Sequence, residues 1–152
     1  MKILGLIPAR GGSEGIPRKN IKKLCDRPLI DYTISASLKS KYLNDVIVST
    51  DDQEIASISK RLGATVPFMR PKVLGSNNSP TIDTVIHALE QMAKKKYRYK
   101  YVCLLQPTNP LIKTEIINKS IEKIIKSNND SLISVREIPN KYNPYWAFKK
   151  NN

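Results

Sequence analysis

Short apolar runs alternate with amphipathic segments along this chain, and the alternation predicts its fold class. Five runs are typical of buried strands, and they lie at residues 2–8, 46–48, 64–69, 101–105 and 132–135. Segments with an apolar residue every three or four positions separate them, and these predict helices at 29–41, 52–62, 79–94 and 114–127. Strands that alternate with helices indicate an α/β fold: a three-layer, mostly parallel sheet with helices on both faces.

The third predicted helix has the clearest start. Ser79 can cap it, and Pro80 suits its first turn. His87, the single histidine of the sequence, lies in the middle of this helix on a polar face. We interpret His87 as a structural or surface residue rather than a catalytic base.

The polar segments that follow the predicted strands mark the expected site. In parallel sheets of this kind, ligands bind beyond the carboxyl ends of the strands. Unusual or polar residues stand at these places in the segments 10–20, 49–52, 70–80 and 106–110. The topology and the residue types therefore indicate the same edge of the sheet.

The first of these segments is rich in glycine and in positive charge. Gly11, Gly12 and Gly15 give the backbone freedom, and Arg10, Arg18 and Lys19 surround them. Backbone N–H groups and cations together favour a polyphosphate ligand. An ordinary surface turn with solvated charges is the alternative. The segment is not a Walker A loop, because no Gly-Lys-Ser/Thr closes it, and it lacks the dinucleotide-binding spacing.

Composition narrows the class of protein. A chain of 152 residues, 40% hydrophobic and 26% charged, is typical of one globular domain. No apolar run approaches the length of about 20 residues that a membrane span needs, so we expect no membrane partner. Cys25 and Cys103 lie far apart and outside any Cys-X-X-Cys motif. They predict neither a structural zinc site nor an oxidising compartment, and we expect a cytoplasmic protein.

The net charge of +13 raises the question of a nucleic-acid partner. Residues 94–101 interleave basic side chains with tyrosines, a pattern that can bind single-stranded nucleic acid. We favour a helix end followed by a solvated loop, because cations suit the carboxyl end of a helix. Nucleic acid is therefore not the partner we expect.

Several motifs in order resemble one family. Residues 7–13 and 16–20 are similar to the signature loop of the acylneuraminate cytidylyltransferases, which include CMP-sialic acid synthetases and their legionaminic and pseudaminic acid counterparts. Later landmarks of that family resemble residues 48–52, 70–71, 85–89 and 104–111. The resemblance implies the Rossmann-like nucleotide-diphospho-sugar transferase fold. It also implies a reaction in which CTP and an acidic nine-carbon sugar give the CMP-sugar and pyrophosphate, with Mg²⁺ as cofactor.

The resemblance also implies roles for individual residues. Arg10, Ser13 and Lys19 would hold the triphosphate, and cations there would stabilise the charge of departing pyrophosphate. Asn20 would reach the ribose, Arg70 and Thr81 would lie beside the cytosine, and Gln106 would face the sugar acid. The implied catalytic residues are Arg10, Lys19 and Gln106. The implied CTP contacts are Ala9, Arg10, Gly12, Ser13, Lys19, Asn20, Arg70 and Thr81. The sugar's own anomeric hydroxyl would attack, so no protein nucleophile is required.

The chain departs from the family pattern at defined places. Glu14 stands where lysine is common, and a carboxylate beside a triphosphate is repulsive. No aspartate follows Gln106 within its motif, which favours the sialic-type branch over the Kdo branch. The family continues past residue 152 with an aspartate pair for Mg²⁺ and a dimerisation segment. We therefore expect a CTP-binding domain at 1–137, the start of the dimerisation region at 138–152, and a homodimer of the full-length protein.

Other interpretations remain open from the sequence. The chain could be a nucleotidylyltransferase for another sugar or a cofactor, or a nucleotide-binding fragment that is catalytically incomplete. Asp51 and Asp52 could hold a metal by their position, but helix capping explains them equally well.

Overall fold

Three parallel strands form the central sheet of this protein, whose computed structural model describes residues 1–76, 78–135, 137 and 139. The strands are β1 (Ile3–Pro8), β4 (Asp45–Ser49) and β5 (Tyr101–Leu104), in the spatial order β4-β1-β5. Leu6 pairs with Ile47 on one side and with Leu104 on the other. A separate antiparallel pair consists of β2 (Lys23–Leu24) and β3 (Arg27–Pro28).

Four α-helices in the described part of the chain accompany the strands: α1 (Leu29–Leu38), α2 (Gln53–Arg61), α3 (Thr81–Lys94) and α4 (Thr114–Ser127). Short 3-10 helices lie at Lys19–Ile21 and Lys72–Gly75. Helix α4 has the predicted bounds. Helix α1 ends three residues earlier than predicted. Helix α3 starts at Thr81, and Pro80 rather than Ser79 stands at its N-cap position, so the prediction of a Ser79 cap was wrong.

Alternating residues of β1 face two hydrophobic clusters, which explains why helices cover both sides of the sheet. Ile3 and Ile7 pack in the cluster that contains Ile30 and Ile34 of α1, Ile55 of α2, and Ile117 and Ile121 of α4. Leu4 and Leu6 pack on the opposite side, with Ala88 and Met92 of α3. Burial of each such aliphatic side chain contributes about 1.5–3 kcal/mol to stability. The predicted three-layer α/β fold is confirmed.

Two predicted strands are absent from the described residues. Residues 64–69 form only an isolated parallel bridge, between Ile47 and Thr65. Thr65 exchanges backbone hydrogen bonds with Val46 and Val48, but Pro67 follows and has no N–H group to continue the ladder. Residues 132–135 have no regular structure, and the side chains of Ile133 and Val135 are exposed. An apolar run forms a strand only where a neighbouring strand offers backbone partners.

The predicted domain boundary falls at the end of the described residues. Of residues 138–152 the structure describes only Pro139, so the expected dimerisation region lies outside it. Within the described part of the chain, no helix is long and apolar enough to cross a membrane.

Candidate active site

A cavity of about 240 Å³ opens where the carboxyl ends of β1 and β5 meet the start of α3. The residues that line it come from the glycine-rich loop after β1, the segment that leads into α3, α3 itself and the turn after β5. They are Pro8, Arg10, Ser13, Lys19, Asn20, Arg70, Leu74, Ser76, Ser79, Thr81, Thr84, Gln106, Pro107 and Thr108. The cavity therefore lies at the sheet edge that the sequence predicts.

Seven of the predicted site residues line this one cavity: Arg10, Ser13, Lys19, Asn20, Arg70, Thr81 and Gln106. Ala9 and Gly12 do not line it. The Ala9 N–H donates to the carbonyl oxygen of Ser49 at 2.9 Å and so continues the β1–β4 ladder. Gly12 is exposed, and a Cβ placed there would meet no atom within 4 Å. Contacts of Ala9 and Gly12 with a nucleotide stay predictions.

Thr84, Ser79 and Thr108 are polar lining residues that the sequence analysis did not select. A usable signal existed for Thr84, because it lies three positions after Thr81 and so shares a helix face with it. Ser79 is notable for a different reason. Its buried Oγ has no hydrogen-bond partner among the described residues, and the side chain lies against the cavity.

The glycine-rich loop is held by its own polar groups. The buried Asn20 side chain donates from Nδ2 to the carbonyl oxygen of Arg10 at 2.9 Å. Arg18 adopts a left-handed backbone conformation with φ of 56°, which turns the chain into the 3-10 helix at Lys19–Ile21. Lys19 therefore points into the cavity from a fixed turn, and Asn20 both lines the cavity and fixes the loop.

Arg18 does not contribute its charge to the cavity, contrary to the sequence interpretation. Its guanidinium pairs with Asp52 and with Glu54, at the start of α2. Asp52 is the N-cap of that helix and accepts the Ile55 N–H at 2.9 Å. The hydrogen bond from Arg18 holds the pKa of the Asp52 carboxyl below its ordinary value. Arg18 therefore ties the loop to α2.

Arg10 and Lys19 differ from Arg18 in having no ion-pair partner among the residues that the structure describes. Both line the cavity beside Ser13. An uncompensated cation pair at a glycine-rich loop is suited to a polyphosphate.

Arg70 also lines the cavity, and its side chain is only 4% exposed. Its Nη1 donates to Thr84 Oγ1 at 3.2 Å, and its Nη2 donates to Asp51 Oδ1 at 3.4 Å. Burial, partly offset by Asp51, lowers the pKa of the Arg70 guanidinium. Its Nε is buried without a partner among the described residues. Arg70 is a fixed, charge-balanced donor.

Asp51 and Asp52, the two aspartates that the sequence left open as metal ligands, are both engaged by hydrogen-bond donors of the protein. Among the described residues, no three histidine, cysteine, aspartate or glutamate side chains gather in a way that could hold a metal ion. Asp51 accepts hydrogen bonds from the Gly11 N–H and from Arg70, and Asp52 from Arg18 and from the Ile55 N–H. Of the two roles that the sequence left open for these aspartates, capping holds for Asp52.

His87 and the cysteines lie outside the cavity lining. The His87 ring packs edge-on against Phe68 with ring centroids 5.1 Å apart, and burial lowers the pKa of its imidazole. Burial raises the pKa of the Cys103 thiol to about 11, which makes it a poor nucleophile. These placements agree with the interpretation of His87 as a structural residue.

The sequence matches a family model described as cytidylyltransferase over residues 4–150. The chain belongs to the cytidylyltransferase family. It is 36% identical to the pseudaminic acid cytidylyltransferase of Campylobacter jejuni over its whole length, and covers 66% of that protein. It is 40% identical over 147 residues to the CMP-N,N'-diacetyllegionaminic acid synthase of Legionella pneumophila, covering 97% of this chain and 62% of that protein. These relatives confirm the resemblance seen in the motifs.

Two solved structures share the fold. CMP:2-keto-3-deoxy-manno-octonic acid synthetase complexed with CTP matches with a TM-score of 0.72 at 20% identity, over 84% of this chain and 49% of that chain. A cytidylyltransferase from Leptospira borgpetersenii matches with a TM-score of 0.63 at 26% identity, over 83% of this chain and 50% of that chain. The present chain therefore spans about half of these structures, and slightly less than two thirds of the curated relatives.

Proposed function

We propose that this chain provides the nucleotide site of an enzyme that activates a sialic-type, nonulosonic acid with CTP. One observation carries the proposal: a single cavity is lined by Arg10 and Lys19, which have no ion-pair partner among the described residues, and by the buried, charge-balanced Arg70. Cations without an ion-pair partner suit a triphosphate, and a buried, fixed donor suits an uncharged base edge. A nucleoside triphosphate carries both kinds of group.

The proposed reaction forms one bond and breaks one. The anomeric hydroxyl oxygen of the sugar attacks the α-phosphorus of CTP, and the bond from that phosphorus to the bridging oxygen of pyrophosphate breaks. The hydroxyl proton leaves to solvent. Arg10 and Lys19 stabilise the negative charge that grows on the departing pyrophosphate, and Ser13 donates a hydrogen bond to it. Gln106 lies at the edge of the cavity and orients the sugar acid.

Family membership supports the choice of nucleotide and of acid. The relatives at 36% and 40% identity are named for pseudaminic and legionaminic acid, which are nonulosonic acids. The likeness to the synthetase of the eight-carbon acid, at 20% identity, carries the fold alone. A nine-carbon acid is therefore the substrate class that we propose.

Magnesium belongs to the proposal only as a cofactor held elsewhere in the enzyme. Mg²⁺ prefers carboxylate oxygens and substrate phosphates as ligands. Asp51 and Asp52 are engaged by hydrogen-bond donors within the described residues, so we assign no magnesium ligand to them.

Pyrophosphate release is the decisive test. The protein expressed from its complete gene is incubated with CTP, Mg²⁺ and, in separate reactions, N-acetylneuraminic, legionaminic or pseudaminic acid. We expect turnover with at least one of them and none with the eight-carbon acid Kdo. Turnover with Kdo alone, or no turnover with any acid at saturating CTP, would overturn the proposal.

A thermal-shift titration with CTP, UTP, GTP and ATP tests the nucleotide separately. CTP should raise the melting temperature most, since a ligand that binds only the folded state stabilises it. A larger shift with a purine nucleotide would instead favour a nucleotidylyltransferase of another specificity. Stabilisation by CTP without turnover would favour a binding fragment.

Two further expectations concern the whole protein. CTP is made and used inside the cell, so the proposed reaction is cytoplasmic. We also propose a homodimer of the full-length protein, which sedimentation velocity would test; a monomer at micromolar concentration would contradict it.

A further inference from the structure

Asp51 contacts Arg70, which lines the cavity, but does not line the cavity itself. It stands two residues after the end of β4, and its side chain is 16% exposed. One oxygen, Oδ1, accepts the backbone N–H of Gly11 at 3.1 Å and is 3.4 Å from Nη2 of Arg70. A single carboxylate oxygen therefore contacts both the glycine-rich loop and the buried arginine.

The second carboxylate oxygen of Asp51 is enclosed by the segment that leads into α3. A Cβ placed on Gly75 would lie 2.7 Å from Asp51 Oδ2, which is closer than real Cβ contacts occur. Gly75 thus leaves the space that the carboxylate fills. Asp51 is in contact with three segments that the chain brings together from positions 11, 70 and 75.

Arg70 depends on this carboxylate for its orientation. Thr84 accepts a hydrogen bond from Nη1, Asp51 accepts from Nη2, and Nε stays without a partner among the described residues. A guanidinium held at both terminal nitrogens has lost most of its side-chain freedom. Its position relative to the glycine-rich loop is then set by the residue that contacts both, which is Asp51.

We propose that Asp51 is a positioning residue, which sets the distance and the charge balance between the glycine-rich loop and Arg70 in the nucleotide site. This inference rests on the proposed function. It separates Asp51 from its neighbour Asp52, which caps α2 and pairs with Arg18. Asp51 acts through Gly11 and Arg70 and makes no contact of its own with the ligand.

The first test needs no ligand. In Asp51→Ala, hydrogen exchange at the Gly11 amide should accelerate at least tenfold, and the NMR signal of the Arg70 Nε–H should shift or broaden. Asp51→Asn keeps an oxygen for the Gly11 N–H but removes the charge opposite Arg70. It should preserve the Gly11 protection and still change the Arg70 signal. Unchanged Gly11 exchange and an unchanged Arg70 signal in Asp51→Ala would overturn the inference.

The second test measures nucleotide selection. In Asp51→Ala, the Kd for CTP should rise by about tenfold, the effect typical of losing a hydrogen bond to a charged group. The ratio of the Kd values for UTP and CTP should fall at least threefold. That ratio does not depend on the fraction of folded protein, so partial unfolding alone would leave it unchanged. A Kd for CTP and a ratio both within twofold of wild type would overturn the inference.

Gly75→Ala and Asp31→Ala complete the design. Gly75→Ala keeps the Asp51 carboxylate but displaces it, because the added methyl group needs the space of Oδ2. The ratio of the Kd values for UTP and CTP should therefore fall in this variant as well. Asp31 is a matched control outside the cavity lining, since its 12% exposed side chain pairs with Arg27 at 2.7 Å. Asp31→Ala should leave the ratio within twofold. An equal fall in Asp31→Ala would overturn the inference.

The outcomes separate this inference from the proposed function. One result is that the wild-type protein binds CTP while Asp51→Ala leaves the Gly11 hydrogen exchange and the nucleotide selectivity unchanged. That result overturns only the role of Asp51. A wild-type protein that binds no CTP overturns the proposed function and the selectivity part of this inference together. The exchange experiment still decides in that case whether Asp51 joins the loop to Arg70.

Discussion

The cations that line the cavity are held in two opposite ways. In the glycine-rich loop, Arg10 and Lys19 have no ion-pair partner among the described residues. Arg70, which follows later in the chain, is buried and balanced by Asp51 and Thr84. A cation left uncompensated is available to an anionic ligand, whereas a compensated one serves as a fixed hydrogen-bond donor. The contrast predicts that the two kinds of cation respond differently to mutation.

Replacement of Arg70 by alanine should produce the largest loss of stability. Removing one partner of a buried ion pair leaves the other charge uncompensated, which typically lowers the free energy of unfolding by about 3–5 kcal/mol. Urea denaturation monitored by circular dichroism measures the change. Arg18→Ala is the matched control, because the Arg18 side chain is 40% exposed and such pairs contribute at most about 1 kcal/mol. Equal losses in the two variants would contradict the distinction between buried and exposed pairs.

Replacement of Lys19 by alanine should instead reduce activity and leave stability unchanged. Loss of a cation at developing phosphate charge predicts a decrease in kcat/KM of at least about tenfold. The free energy of unfolding should change by less than about 0.5 kcal/mol, since Lys19 has no ion-pair partner in the described chain. Lys22→Ala, an exposed lysine outside the cavity lining, should keep the activity. Retained activity in Lys19→Ala would mean that the triphosphate lies elsewhere.

The sequence predicts which segments meet at the site, but not how their charges divide. Arg10 and Arg18 stand in the same loop and look equivalent in the sequence. Only the fold brings Asp52 and Glu54, at 34 and 36 positions from Arg18, next to one of them. Asp51 and Asp52 are also adjacent in sequence, yet one caps α2 and the other contacts Gly11 and Arg70. Long-range partners of this kind leave no local signal.

Secondary structure was predicted best where an amphipathic pattern runs through a whole element. The apolar positions of α4 give its bounds, Thr114–Ser127, because periodic burial alone determines them. Strand prediction failed at 64–69 and 132–135, because an apolar run does not tell whether a neighbouring backbone is present. Pro67 was the available sign against the first of these strands.

The pH dependence of the stability contributed by the Arg18–Asp52 pair tests the same contrast, with a smaller expected effect. Arg18 lowers the pKa of Asp52 in the folded state, so this pair stabilises the protein above the ordinary aspartate pKa. That contribution disappears as the pH falls through the lowered folded-state pKa. Asp52→Asn keeps a capping oxygen for Ile55 and removes the titration, so it should cost at most about 1 kcal/mol at pH 7 and less near pH 2.

Urea denaturation at both pH values measures this difference. Asp26→Asn, at an exposed position of the turn between β2 and β3, is the control and should be neutral at both. A loss in Asp52→Asn of the same size at both pH values would indicate that Asp52 acts only as a cap.

Replacement of His87 should change the stability least, and the direction of the pH effect follows from the lowered pKa of the imidazole. Burial lowers the pKa of the folded imidazole, so the unfolded state binds more protons below the ordinary histidine pKa of about 6.5. Wild type should therefore lose slightly more stability than His87→Gln between pH 7 and pH 5. The imidazole lies outside the cavity lining and against Phe68, so His87→Gln should retain kcat/KM within about threefold of wild type. A loss of about a hundredfold, as expected for removal of a general base, would mean that the histidine takes part in the chemistry.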